Sequence, residues 1–128
     1  MRIILVCLVI CILSAGCFSL MPEYCIGVRN NTKETIRDVD AKCDRFHTGG
    51  GIVVSTGLKL YLSQFDPIPK KALVQWRTPD GVLHEKEVEV RNQIPRKMKV
   101  GVIELIIDDQ NNVQVKPFTD KEWSPKIK

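Results

Sequence analysis

The sequence predicts an all-β fold, a small antiparallel β-sandwich preceded by a cleaved signal peptide. Three observations predict it. Short runs rich in Val, Ile, Leu and aromatic residues recur at roughly 8–12-residue spacing, with Gly, Pro, Asn and Asp between them. After residue 16 no stretch of helix length keeps a helical apolar period. The chain has 128 residues, enough for one core and not for two.

The elements follow in order. Met1-Arg2 precedes an apolar run from Ile3 to Leu13, and the small residues Ser14-Ala15-Gly16 follow it. This is the layout of a secretory leader: a cationic start, a short apolar stretch and a small-residue cleavage zone. A spanning helix needs about 20 apolar residues, and this run is well short of that. The expected organisation is a signal peptide over 1–16, a tether over 17–23, a sandwich domain over 24–117 and a tail over 118–128.

Tyr24 to Arg29 reads as a strand, Asn30-Asn31-Thr32-Lys33 as a turn, and Thr35 to Lys42 as a second strand. Paired as a hairpin, these strands place Cys25 opposite Cys43 about a midpoint at Glu34. His47-Thr48-Gly49-Gly50-Gly51 reads as a mobile loop, because no Lys-Ser or Lys-Thr follows the glycines as a phosphate cradle requires. Ile52-Val53-Val54 starts a strand, Leu58 to Leu62 forms a short one, and Phe65-Asp66-Pro67-Ile68-Pro69 is a proline-fixed connection.

The clearest local signal is a hairpin. Ala72 to Arg77 leads into Thr78-Pro79-Asp80-Gly81, and Val82 to Val90 alternates on the way back. Pro at the second turn position with Asp-Gly after it fits a type I turn closed by a glycine bulge. Trp76 is expected in the core beside Leu73 or Val74. Val100 to Ile107, a turn at Asp108 to Asn112, and Val113 to Lys116 form a second hairpin, and the tail from Pro117 trails over the surface. Seven or eight such strands describe an immunoglobulin-like or barrel-like sandwich.

Leu13-Ser14-Ala15-Gly16-Cys17 resembles a lipobox, so residues 1–17 are similar to bacterial lipoprotein precursors, although Ser14 stands where that family more often has a leucine-like residue. The resemblance implies cleavage before Cys17, lipid on its thiol, and a membrane anchor made of several acyl chains. Phe18, where an aspartate favours inner-membrane retention, implies the periplasmic face of the outer membrane in a Gram-negative cell. In other bacteria it implies the extracytoplasmic face of the cell membrane.

Export narrows the remaining chemistry. The formal charge falls from +4 to +3 once the leader with Arg2 is lost. Only Lys70-Lys71 and Arg96-Lys97-Met98-Lys99 are locally dense, which reads as a solvated face and not as a nucleic-acid stripe. Cys7 and Cys11 leave with the leader, so Cys25 and Cys43 either form one disulfide in an oxidising compartment or stay as two buried thiols.

Nothing in the sequence assembles an active site. The histidines are His47 and His84, and no Gly-x-Ser-x-Gly elbow is present. Cys43 and His47 supply two neighbouring metal ligands and no third, and Asp108-Asp109 lacks the glycine and closing glutamate of a calcium loop. No enzyme, metal or cofactor is expected. What remains is a protein-binding module.

Gly27-Val28-Arg29-Asn30-Asn31-Thr32 before the glycine-rich loop, the Val74-Gln75-Trp76 strand, and Val88-Glu89-Val90 up to Pro95 are similar to small β-sandwich lipoproteins. Those proteins are encoded beside type VI secretion phospholipase effectors and act as their immunity proteins. The resemblance implies a protein partner, a secreted toxin plugged by loops such as Asp44 to Gly51 and Thr78 to Gly81. Asp44, Arg45, His47 and Asp80 are the candidate contacts. A structural or assembly lipoprotein of an envelope complex is the alternative.

Overall fold

The computed structural model describes residues 23–63 and 67–123. The leader, Cys17, and the Phe65-Asp66 part of the proline connection lie outside those residues. Among the described residues seven strands are formed: β1 (Tyr24–Asn30), β2 (Arg37–Lys42), β3 (Leu58–Ser63), β4 (Lys71–Arg77), β5 (Leu83–Glu89), β6 (Val102–Ile107) and β7 (Val113–Phe118). They build a four-stranded sheet in the order β3-β1-β6-β7 and a three-stranded sheet in the order β2-β4-β5. The two sheets share one core, so the molecule is a small β-sandwich.

Both predicted hairpins with tight turns are present. Strand β4 pairs with β5 from Lys71↔Glu89 to Arg77↔Leu83, and β6 pairs with β7 from Val102↔Phe118 to Ile107↔Val113. In the first turn the Gly81 N–H donates to Thr78 O, and Gly81 has φ +88°. The second turn copies it with Asn111 at φ 58°, donating to Asp108 O. Asn tolerates the left-handed region because its short polar side chain bonds locally.

The expected β1–β2 hairpin is not formed. Strand β1 lies in the larger sheet, antiparallel to β3 and parallel to β6, whereas β2 lies in the smaller sheet beside β4. Alternation explains the Cys pair. Tyr24, Ile26, Val28 and Asn30 are buried on one face of β1, leaving Cys25, Gly27 and Arg29 for the other. Cys43, just past β2, packs against the core. Sheet therefore stands between the two sulfurs, and both are free thiols.

The glycine segment, expected as a mobile loop, is instead paired along a strand. From His47 to Val53 it runs back along β2: Lys42 bridges His47, the Thr48 N–H donates to Ala41 O, the Val39 N–H donates to Gly51 O, and Ile36 bridges Val53. It covers the outer edge of β2, which would otherwise expose unpaired backbone groups. Lys59 Nζ donates to Gly49 O at 2.9 Å and ties this segment to the larger sheet.

The core is made by Ile26, Val28, Val39, Val74, Trp76, Ile103, Leu105 and Ile107 together with smaller neighbours. Trp76 is fully buried with Val74, as the sequence predicts, while Leu73 is only partly buried. His84, its partner across the pair, stacks on the Trp76 ring at 5.4 Å. Strand β6 is buried along its whole length. Its second face is covered partly by residues 118–123, which pack back on the sheet: Phe118 is buried, a single helical turn, α1 (Asp120–Trp123), follows, and Trp123 Nε1 donates to Glu104 at 3.2 Å.

Candidate binding surfaces

The registers define two ends. At the entry end the chain comes into β1. Here Tyr24, Ser63, Val102 and Phe118 are neighbours in one sheet, and Lys42, Lys71 and Glu89 mark the same end of the other. Tyr24 Oη donates to Pro67 O at 3.1 Å and Arg91 Nε donates to Ile68 O at 2.9 Å, which places the proline connection at this end too. The far end carries the loops after β1, β4 and β6.

The four predicted contact residues do not gather on one surface. Asp44 and Arg45 sit at the entry end, where Asp44 Oδ2 accepts the Lys70 N–H at 3.1 Å. Both line a cleft of about 100 Å³ with Phe46, Pro67, Pro69 and Arg91. His47 is exposed on the covering segment, with Nδ1 3.7 Å from Asp40 Oδ1. Asp80 is at the far end, in the β4–β5 turn. Its carboxylate accepts bonds from Thr78 Oγ1 and the Val82 N–H, and the Thr78 bond is the main cause holding its pKa below the ordinary value.

The far end has a surface that these residues do not mark. Ile52, Val54, Val82 and Leu83 are 72%, 60%, 49% and 51% exposed. Val53 pairs with Ile36 at the start of β2, Arg37 with Arg77 at the end of β4, and Arg77 with Leu83 at the start of β5. The apolar residues thus flank two strands, across three strand spacings of roughly 14 Å. Between them Arg77 Nε lies 3.3 Å from Asp38 Oδ2, and Arg77 Nη1 donates to Gly81 O. Asp38 has φ 51° at a shift in the β2–β4 register, and a bulge there re-aims the strand end.

The loops behind this surface are fixed by Asn30, which is fully buried. Its Nδ2 donates to Glu34 O and Val53 O at 2.7 and 3.0 Å, and its Oδ1 accepts the Thr32 N–H and hydroxyl. Asp109 Oδ1 accepts the Lys33 N–H and links the β6–β7 turn to the same loop. Asp108 Oδ1 accepts the Gln110 and Asn112 N–H groups, so the carboxylate considered for calcium organises its own turn. Among the described residues no group of three potential ligands gathers round a metal position.

Both thiols are held protonated. Burial, with Asp44 and Asp40 nearby, pushes Cys43 from the ordinary 9.0 up to about 12. Cys25 is raised too, by burial first and then by Asp120 and Glu23. Neither has the electropositive setting of a reactive cysteine.

No known family profile matches the chain, and no curated protein does. A solved structure matches it: the NMR structure of a protein from Eubacterium rectale, 15% identical, covering 76% of this chain and 89% of that one, with a TM-score of 0.52. The likeness is one of fold alone. It agrees with a sandwich and carries no activity.

Residue patterns did carry a signal for the far-end surface. Ile52-Val53-Val54 is a run of three apolar residues on an extended segment, so when Val53 turns inward its neighbours face out. Val82-Leu83 is an apolar pair at a strand start, where one member must face out by the same alternation.

Proposed function

We propose that this chain is an exported lipoprotein, cut before Cys17 and lipid-anchored there, whose sandwich binds a protein. The partner we propose is a secreted antibacterial toxin, and the chain its immunity protein. The compartment we propose is the periplasmic face of the outer membrane in a Gram-negative cell.

The observation that carries the binding part is the exposure of Ile52, Val54, Val82 and Leu83 at the end away from the chain entry. Scattered exposed apolar residues are normal, but a set gathered at one end of the sheet suits an interaction site. A central Arg77–Asp38 pair between apolar flanks suits a protein surface, with Arg as a common anchor. An anchor at the opposite end directs this face away from the membrane, where an incoming toxin is met.

The test is genetic. Deleting the gene is expected to sensitise the cell to the toxin of a neighbouring gene. The native chain restores protection, and an Ile52→Glu/Leu83→Glu chain of equal abundance does not. Unchanged survival of the deletion strain overturns the immunity reading, and full rescue by the double variant overturns this face as its surface.

A further inference from the structure

The two ends of the sandwich differ in charge. Arg45, Lys70, Arg91, Arg96, Lys97 and Lys99 are exposed at the entry end, and none makes an ion pair among the described residues. With Lys71 and Lys121 at the same end, they outnumber the acidic groups there, Glu23, Asp44, Glu89, Asp120 and Glu122. Glu89 lies 3.8 Å from Lys71, and Asp44 is engaged by the Lys70 N–H. The far-end loops have the opposite bias, with Glu34, Asp80, Asp108 and Asp109 against Lys33.

The basic end is also shaped. Ile68, Ile94 and Met98 give an apolar floor to a groove of about 580 Å³ rimmed by Arg91 and Arg96. Arg91 spends Nε and Nη2 on Ile68 O and offers its charge, while the exposed guanidinium forks of Arg45 and Arg96 match phosphate geometry. The chain enters β1 at this same end, and six peptide units from Cys17 to Glu23 reach at most about 20 Å along any path. Attraction between a basic patch and an anionic surface acts over about 10 Å. A tether of that reach lets this end come within that range of the surface without holding it there, so the basic patch itself must supply the contact.

We infer that the basic entry end docks on an anionic phospholipid bilayer, so that the domain stands on the membrane with its far end outward. The inference rests on the proposed anchor before Tyr24 and adds a second contact to it. Each Lys or Arg near such a surface contributes about fivefold in binding, and loss of two removes most of the orientation.

Full-length protein taken from membranes is reconstituted in two kinds of vesicle, phosphatidylethanolamine with one quarter phosphatidylglycerol, and phosphatidylcholine alone. Lysine acetylation is then followed by mass spectrometry. Lys70, Lys97 and Lys99 are expected to label at least about threefold more slowly on the anionic vesicles, with Lys33 unchanged as the far-end control and the difference abolished by high salt. An Arg45→Gln/Arg96→Gln chain, altered only at exposed side chains outside the core, is expected to lose most of that protection. Equal labelling on both vesicles overturns the inference, as does protection that the double variant keeps. The mass of the N-terminal peptide in the same samples tests the Cys17 anchor separately, because a chain held by an uncleaved leader presents the same end to the bilayer.

Discussion

Arg29 holds both carboxylate oxygens of Glu104 at 2.7 Å across the larger sheet, although the two are 75 residues apart. Glu104 is 1% exposed in the middle of β6, and Trp123 Nε1 also donates to it. Strand β6 therefore tolerates a charge on its second face because β1, its parallel neighbour, brings a guanidinium to it. The bond to Glu104 raises the Arg29 pKa further.

Breaking this pair from one side leaves a buried charge without its cation. Arg29→Met is expected to cost about 3 kcal/mol, at the lower end for a buried pair because the Arg29 side chain is 24% exposed. Arg29→Met/Glu104→Gln, which keeps an acceptor for Trp123, is expected to recover most of that loss. Urea unfolding of the three proteins checks it, and a single variant within about 0.5 kcal/mol of the native chain contradicts it.

The two hairpin turns make opposite predictions for one conformation. Gly81 needs its positive φ, and a Cβ there meets no atom, so Gly81→Ala is expected to cost about 1 kcal/mol from backbone strain alone. Asn111 occupies the same region with a side chain, so Asn111→Gly is expected to be neutral or stabilising by a few tenths of a kcal/mol, against a loss for Asn111→Ala. Thermal unfolding of the three variants reads this ordering.

Cys43 makes a pH prediction. With its thiol pushed up to about 12, its thiolate at pH 8 is roughly a thousandfold scarcer than for an ordinary cysteine. Iodoacetamide should label Cys25 first and Cys43 only on unfolding or at high pH. The fold binds this proton more tightly than the unfolded chain, so its contribution is complete below pH 9.0 and is lost as pH rises from there to about 12. A Cys43→Ala chain should show a shallower alkaline decline in stability than the native one.

What the sequence makes legible is local. Thr78-Pro79-Asp80-Gly81 and Asp108 to Asn112 dictate their turns by backbone preference, so both hairpins and the burial of Trp76 can be read from residue order alone. Sheet membership cannot. Asn30 to Lys33 is good turn chemistry, yet the chain uses it to pass from one sheet to the other. The strands that pair with β1 are β3 and β6, and Asn30 at its end donates through Nδ2 to Glu34 O and Val53 O. The parallel β1–β6 pairing joins residues some 77 apart, and only the shared core selects it. The Val-Ile-Glu-Leu-Ile-Ile run reads as a strand, but its burial on both faces and the guanidinium that Arg29 brings to Glu104 emerge only from the sheet order. The contact residues chosen from loops fell at opposite ends because loop composition says nothing of which end a loop occupies.

The most direct test of the account is the intact mass of the chain recovered from washed membranes. A species beginning at Cys17, heavier than residues 17–128 by a diacylglycerol with or without a further acyl chain, is the predicted result. A soluble cytosolic chain that still carries Met1 and has no lipid contradicts it.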